Sequence, residues 1–175
     1  LSCPNVAGGL DFSTDPDRTF TTVEAVSKGT SMPVIAKLSP NVTDIRPIAR
    51  AAEAAGAHAL SLINTVLGMV IDPDVGRPFL GAGVGGLSGP AIRPIALRCV
   101  YQVAGVVSIP IIGIGGIVTG SDALQFFLAG ASSVQVGTAT FREPRAAERL
   151  VTCLHEYLEQ RSHESINDII GSARQ

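Results

Sequence analysis

Near the start of the chain, Ser2-Cys3-Pro4-Asn5 sets a hydroxyl, a thiol and an amide on a turn just ahead of Gly8-Gly9. A thiol with a lowered pKa is a nucleophile or a base, which makes Cys3 a candidate reactive group; a lone cysteine is otherwise an inert small hydrophobe. Lys37 stands near the end of an apolar run, residues 33–38. Its charge is costly there unless it meets an anion or reaches water. Asn64 and Thr65 follow a second apolar run, residues 59–63, and offer donors and acceptors at its end. Gly115-Gly116 and Gly137-Thr138 close two further runs. Such glycines let main-chain N–H groups approach phosphate oxygens, although tight turns alone also call for them. Gly81, Gly83 and Gly86 match G-x-G-x-x-G formally, but no strand leads into them and Pro90 opens the next helix. No acidic residue stands at the ribose distance either, so the dinucleotide reading fails. Cys99 and Cys153 read as core, and His58, His155 and His163 as surface or packing residues, since all lie away from the strand ends.

These groups need strands to carry them and loops to present them. Asp15-Pro16 reads as an N-cap and first helical residue, Phe20, Val23 and Val26 follow at helical spacing, and Gly29 ends the helix. The run 33–38 is nearly continuous in apolar residues, as in a parallel strand buried on both faces. Thr43 and Asp44 open a second, alanine-rich helix that stops at Gly56, and residues 59–63 form the next strand. Residues 66–89 predict a long glycine-rich loop, of a length that is usually functional. Residues 90–103 predict a helix burying Ile92, Ile95, Ala96 and Cys99, and residues 109–114 a strand. Ser121 and Asp122 cap a helix ending at Gly130, and residues 133–136 form the last strand. Pro144 starts a final helix whose buried stripe is Leu150, Val151, Leu154, Tyr157 and Leu158.

The pattern also repeats: Ala55-Gly56-Ala57 precedes one strand and Ala129-Gly130-Ala131 another. Repeated strand–loop–helix units specify a parallel sheet with helices outside it. Four complete strands, plus the tail of one ahead of residue 1, cannot close an eight-stranded barrel, which typically takes ~250 residues. The predicted fold class is therefore α/β, the C-terminal half of a (β/α)8 TIM barrel. Residues 1–175 form one partial barrel domain with its first half missing. In such barrels the loops after the strands carry the chemistry, and those after the last two often hold phosphate. This favours a phosphate role for Gly115, Gly116, Gly137 and Thr138.

Composition narrows the function. With 46% hydrophobic residues in 175, one sizeable core is expected. The net charge is −2 and only 16% of residues are charged, without a basic stripe, so nucleic acid is not an expected partner. The longest apolar run, residues 106–118, is too short to span a bilayer, and no secretory leader opens the chain. Three widely spaced cysteines without metal-ligand spacing suit a reducing cytoplasm and predict no metal site.

Six motifs stand in order: Ser2-Cys3-Pro4-Asn5-Val6, the stretch from Lys37 to Ile45, Ile63-Asn64-Thr65, Gly85 to Pro90, Gly113-Ile114-Gly115-Gly116, and Gln135 to Ala139. Together they resemble class 1 dihydroorotate dehydrogenase, most closely its NAD-linked type B catalytic subunit, from the end of the fourth barrel strand onward. The resemblance implies an FMN-binding barrel that oxidises (S)-dihydroorotate to orotate in pyrimidine biosynthesis. It makes Cys3 the catalytic base at C5 while a hydride leaves C6 for the flavin. Asn5, Asn64 and Thr65 become substrate contacts. Lys37 and Ile63 become flavin-ring contacts, and Gly89, Gly115, Gly116, Gly137 and Thr138 surround the cofactor phosphate. It further implies a homodimer and an electron-transfer subunit carrying FAD and a 2Fe-2S cluster, with NAD as final acceptor. The family's earlier strands, with a further flavin lysine and substrate amides, lie ahead of Leu1, so these 175 residues alone are expected to be inactive. Two alternatives remain open at this level: a dihydropyrimidine dehydrogenase-like flavoenzyme, and a non-catalytic half-barrel that only binds a phosphate ligand. The residues after Cys3-Pro4 favour the orotate family over the first.

Overall fold

The structure, a computed structural model, describes residues 11–174; Cys3 and Asn5 lie outside the described residues. The chain opens with α1 (Asp11–Thr14) and α2 (Pro16–Gly29). The Asp15 carboxylate caps α2 by accepting the Arg18 N–H at 2.9 Å, as the Asp-Pro pair predicted. Thr19 and Val23 form its buried face, while Val26, one turn nearer the end of the helix, is exposed.

Strand β1 (Ile35–Leu38) leads to α3 (Arg46–Ala54), and β2 (Ala59–Leu62) follows. The second helix begins later than Thr43-Asp44 suggests. Asp44 accepts from the Arg46 N–H at 3.0 Å and also grips its guanidinium, so it shapes the turn before the helix rather than its first turn. Residues 66–89 are not a plain loop. They fold into two antiparallel ribbons, β3 (Val66–Gly68) with β6 (Gly85–Leu87) and β4 (Ile71–Asp72) with β5 (Arg77–Pro78). A single 3-10 turn, Pro90–Ile92, enters α4 (Arg93–Val103).

Next come β7 (Ile111–Ile114) and α5 (Gly120–Ala129). The cap of α5 is Thr119, not Ser121: the Thr119 hydroxyl accepts from Asp122 N–H, and the Asp122 carboxylate accepts from Thr119 N–H. Asp122 thus stands at the third helical position, where a capping box puts its acid. Gly130 ends α5 in the left-handed conformation at φ 113°. After β8 (Ser133–Gln135) comes a short helix the sequence reading missed, α6 (Ala139–Arg142), and then α7 (Ala146–Gln160). Of the predicted α7 stripe Leu150 is buried and Leu154, Tyr157 and Leu158 partly so, whereas Val151 points outward.

Four strands form one parallel sheet in the order β1-β2-β7-β8. Ala36, Leu38, Leu60, Leu62 and Ile111 point to the helices and build the core. Register puts Gly113 on that face too, and the Phe126 ring of α5 fills its side-chain space; an added Cβ would lie 2.6 Å from the ring. The opposite face carries Ile35, Lys37, Ser61, Ile112, Ile114, Ser133 and Gln135 in register. There the expectation of strands buried on both faces fails, since Ile35 is 53% exposed and Lys37, Ser133 and Gln135 are exposed too. This is the concave inner face of a barrel, present here as four strands.

At the N-terminal ends of the strands Glu53 braces the sheet. One of its oxygens accepts from Ser108 N–H (2.7 Å), Ser108 Oγ (2.7 Å) and Ile109 N–H (3.2 Å), and these bonds, from Ser108 foremost, hold its carboxyl below the usual range. Among the described residues no helix is long and apolar enough to cross a membrane, and no cluster of His, Cys, Asp or Glu could hold a metal ion.

Candidate active site

The C-terminal ends of the four parallel strands open into one cavity of about 700 Å³. Parallel strands leave every chain end on the same side, so loops distant in sequence meet there. Lys37, Ile63, Asn64, Thr65, Gly89, Gly115, Gly116, Gly137 and Thr138, the candidates within the described residues, all line this cavity. Sequence reasoning did not single out Ser88, Gln135, Arg142, Glu143 or Arg149, which line it as well. For Gln135 the signal was available: inner-face position two residues before Gly137 puts its amide at the mouth. The other four depend on the 3-10 turn, on α6 and on the start of α7.

Each loop is held in place locally. Asn41 after β1 uses its whole side-chain amide. Its Nδ2 donates to Thr65 O and to Ser39 Oγ, both at 3.0 Å, and its Oδ1 accepts the Leu67 N–H at 2.9 Å. Ile63 N–H donates to Ile114 O (2.8 Å) and Asn64 N–H to Leu38 O (2.9 Å), which fixes these two residues between the neighbouring strands β1 and β7. Ser61 Oγ reaches across β7 to Gln135 Oε1 at 3.3 Å. Thr65 packs against Gly86, where an added Cβ would lie 2.3 Å from Thr65 Oγ1. A close approach, not a nucleotide fingerprint, is therefore the reason for that glycine.

The glycine loops divide into two kinds. Gly116 has φ 73°, and a Cβ there would fall 2.7 Å from Gly89 O and 2.9 Å from Arg93 N. The β7–α5 loop thus presses against the start of α4, and glycine is required by both conformation and contact. Gly137 is different: its φ is ordinary and nothing lies within 4 Å of an added Cβ. Neither strain nor packing demands glycine there, and its bare backbone faces open space.

The pressed loop is tied down by Asp122. This buried carboxylate accepts from Val118 N–H (3.0 Å) and Thr119 N–H (2.9 Å) and pairs with the Arg93 guanidinium of α4. Burial alone would raise the carboxyl; the two N–H donors, the Thr119 hydroxyl and the Arg93 charge outweigh it and hold it below the usual carboxylate range. Elsewhere in the cavity Glu143 pairs with Arg149 at 2.9 Å.

A cavity built on the loops after parallel strands, with a lysine at one edge and glycine turns at the other, is the arrangement of half of a (β/α)8 barrel. The family model described as Dihydroorotate dehydrogenase matches residues 1–158. The chain belongs to the dihydroorotate dehydrogenase family. It is 55% identical over 172 residues to the "Dihydroorotate dehydrogenase B (NAD(+)), catalytic subunit" of Alkaliphilus oremlandii, covering 98% of this chain and 57% of that protein. It is 53% identical over 175 residues to a "Putative dihydroorotate dehydrogenase A (fumarate)" of Solibacter usitatus, covering 99% of this chain and 58% of that protein. Among solved structures it is similar to the dihydroorotate dehydrogenase of Eimeria tenella crystallised with ferulenol. That match has a TM-score of 0.81 at 27% identity and covers 100% of this chain and 53% of the other. The chain thus spans a little over half the length of the curated relatives it matches.

Proposed function

We propose that this chain is the cofactor- and substrate-binding part of a dihydroorotate dehydrogenase that oxidises (S)-dihydroorotate to orotate in pyrimidine biosynthesis. What carries the reading is one cavity in which the Asn64-Thr65 pair, Lys37 and the open backbone of Gly137 come together. The residues fit FMN. The volume of about 700 Å³ lies within the range of small-molecule sites. Gly137 leaves the main chain open to a phosphate, and Lys37 has no acidic partner among the described residues. Bound FMN supplies the hydride acceptor.

The chain's own groups do the rest. Asn64 and Thr65 would orient the dihydropyrimidine ring, and Ile63 would contact the flavin ring. Lys37 would supply a positive charge to that ring, whose electron density rises on reduction. Cys3 takes the proton from C5, so the C5–H electrons form the C5=C6 double bond as hydride leaves C6. Asn5 joins Asn64 in holding the ring. Gly89, Gly115, Gly116, Gly137 and Thr138 surround the phosphate. In this reading the protein works in the cytoplasm as a homodimer with an electron-transfer subunit that carries FAD and a 2Fe-2S cluster; the name of the relatives, a catalytic subunit, supports a partner subunit.

The test uses a complete-length protein, these 175 residues joined behind the N-terminal part of the Alkaliphilus relative. It should purify yellow and bleach when dihydroorotate is added without oxygen. Cys3→Ala should keep its flavin and slow bleaching by ~10²–10⁴-fold, the usual worth of a general base. A colourless protein, or flavin that dihydroorotate never bleaches, overturns the reading. Reduction of Cys3→Ala at the unmutated rate overturns the base assignment alone.

A further inference from the structure

Resting on the flavin reading, we propose that Arg142 is the side chain that engages the cofactor's phosphate, with an ion pair that main-chain N–H groups alone do not supply. Arg142 lines the cavity at its glycine end. It stands four residues, one helical turn, beyond Thr138. The turn between them is tight: Thr140 N–H and Thr140 Oγ1 both donate to Gly137 O, at 3.0 and 2.7 Å, and Phe141 N–H donates to Thr138 O at 3.2 Å. The guanidinium is therefore carried on the same short unit as the Gly137-Thr138 backbone.

The charges lining the cavity are Lys37, Arg142, Glu143 and Arg149. Glu143 is taken by Arg149, which leaves Lys37 and Arg142 without an acidic partner among the described residues. Lys37 is on β1 and Arg142 follows β8, at opposite edges of the sheet. Three strand spacings separate those two strands by roughly 14 Å along the sheet. An elongated ligand with a phosphate at one end and an electron-rich ring at the other matches cations held at the two edges. In a chain of net charge −2, a cavity with an excess of cations is a local reversal of sign that favours an anion. Arginine's planar fork suits a phosphate's oxygens better than lysine's point charge.

The experiment compares FMN with riboflavin, which lacks the phosphate, in the complete-length protein stripped of flavin. Dissociation constants are read from flavin fluorescence at low and high salt for the unmutated protein, Arg142→Ala, Arg142→Lys and, as a control outside the cavity, Arg145→Ala. Arg142→Ala should weaken FMN roughly 10- to 100-fold, the span of one charge-assisted hydrogen bond, and leave riboflavin unchanged. It should also flatten the salt dependence of FMN binding, and Arg142→Lys should recover much of the loss. FMN affinity unchanged in Arg142→Ala, or FMN and riboflavin weakened equally, overturns the assignment while leaving the flavin reading intact. An unmutated protein that binds neither flavin overturns both.

Discussion

Replacing Asp122 with alanine should be among the most damaging single changes outside the cavity. The carboxylate is buried and accepts from Val118 N–H, Thr119 N–H and Arg93. Its removal strips the acid from the capping box of α5, leaves two main-chain donors unpaired and strands the Arg93 guanidinium. Each buried donor left unsatisfied costs about 1–3 kcal/mol. Breaking a buried ion pair by removing one partner costs about 3–5 kcal/mol. Arg93 keeps 33% of its side chain exposed and so retains some water, which argues for the lower part of these ranges. The losses also overlap, so the sum is about 3–5 kcal/mol, a large share of the 5–15 kcal/mol that holds a typical domain. Asp122→Asn keeps one acceptor and loses the charge, and should cost about half as much. Urea unfolding of the complete-length protein measures both through the midpoint at unchanged slope. The sign with pH follows from the lowered carboxyl. Its stabilising share is fully present above the pKa of an unfolded aspartate and is lost as pH falls through the lower folded value. Asp122→Asn should therefore narrow its deficit as the solution is acidified. An Asp122→Ala protein within 1 kcal/mol of the unmutated one, or a deficit of Asp122→Asn that does not shrink in acid, refutes this account of the loop.

Lys37→Ala should loosen FMN and lower its reduction potential, because reduced flavin loses a neighbouring positive charge; potentiometry showing an unchanged or higher potential would remove Lys37 from the ring edge. The two kinds of glycine should behave oppositely. Gly116→Ala collides with Gly89 O and Arg93 N at a left-handed φ and should destabilise the fold by more than 1 kcal/mol. Gly137→Ala meets nothing in the protein, so it should leave unfolding midpoints unchanged and weaken only flavin, as read by thermal melts beside flavin titration.

The sheet and the mouth of the cavity were legible in the sequence because parallel strands announce themselves as apolar runs. Each run ended in the group that the structure places at the cavity: Lys37, Asn64, Gly115, Gly137. Three things were not legible. The ribbons within residues 66–89 pair through the backbone, with glycines rather than alternating apolar residues on β6, so periodicity gave no signal. Helix α6 is four residues long, too short to show a 3.6-residue stripe. The exposure of Ile35 and Gln135 follows from which strands are present, a property of the whole sheet that no window of residues contains. The helix-cap errors share one cause. Ser121 and Asp44 are good capping residues by type, but Thr119 holds the α5 cap and Asp44 is engaged with Arg46. Where several oxygens compete within three residues, the backbone geometry of the preceding loop decides.

The side-chain amide of Asn41 has a mechanical consequence. Two of its three hydrogen bonds join the loop after β1 to Thr65 and to Leu67 of the ribbon, and the third, to Ser39 Oγ, braces the loop itself. Turning the amide over would set donor against donor and acceptor against acceptor, so one orientation alone is stable. The strut stops at Leu67. Beyond it the ribbon runs through Gly68 out to exposed Met69, Val70, Ile71 and Phe79, and returns through Gly85. The arm is thus clamped at its root and exposed along its length, like a reed. Its tip lies beyond Gly68 and Gly85, away from Asn64, whose N–H the sheet holds at Leu38 O.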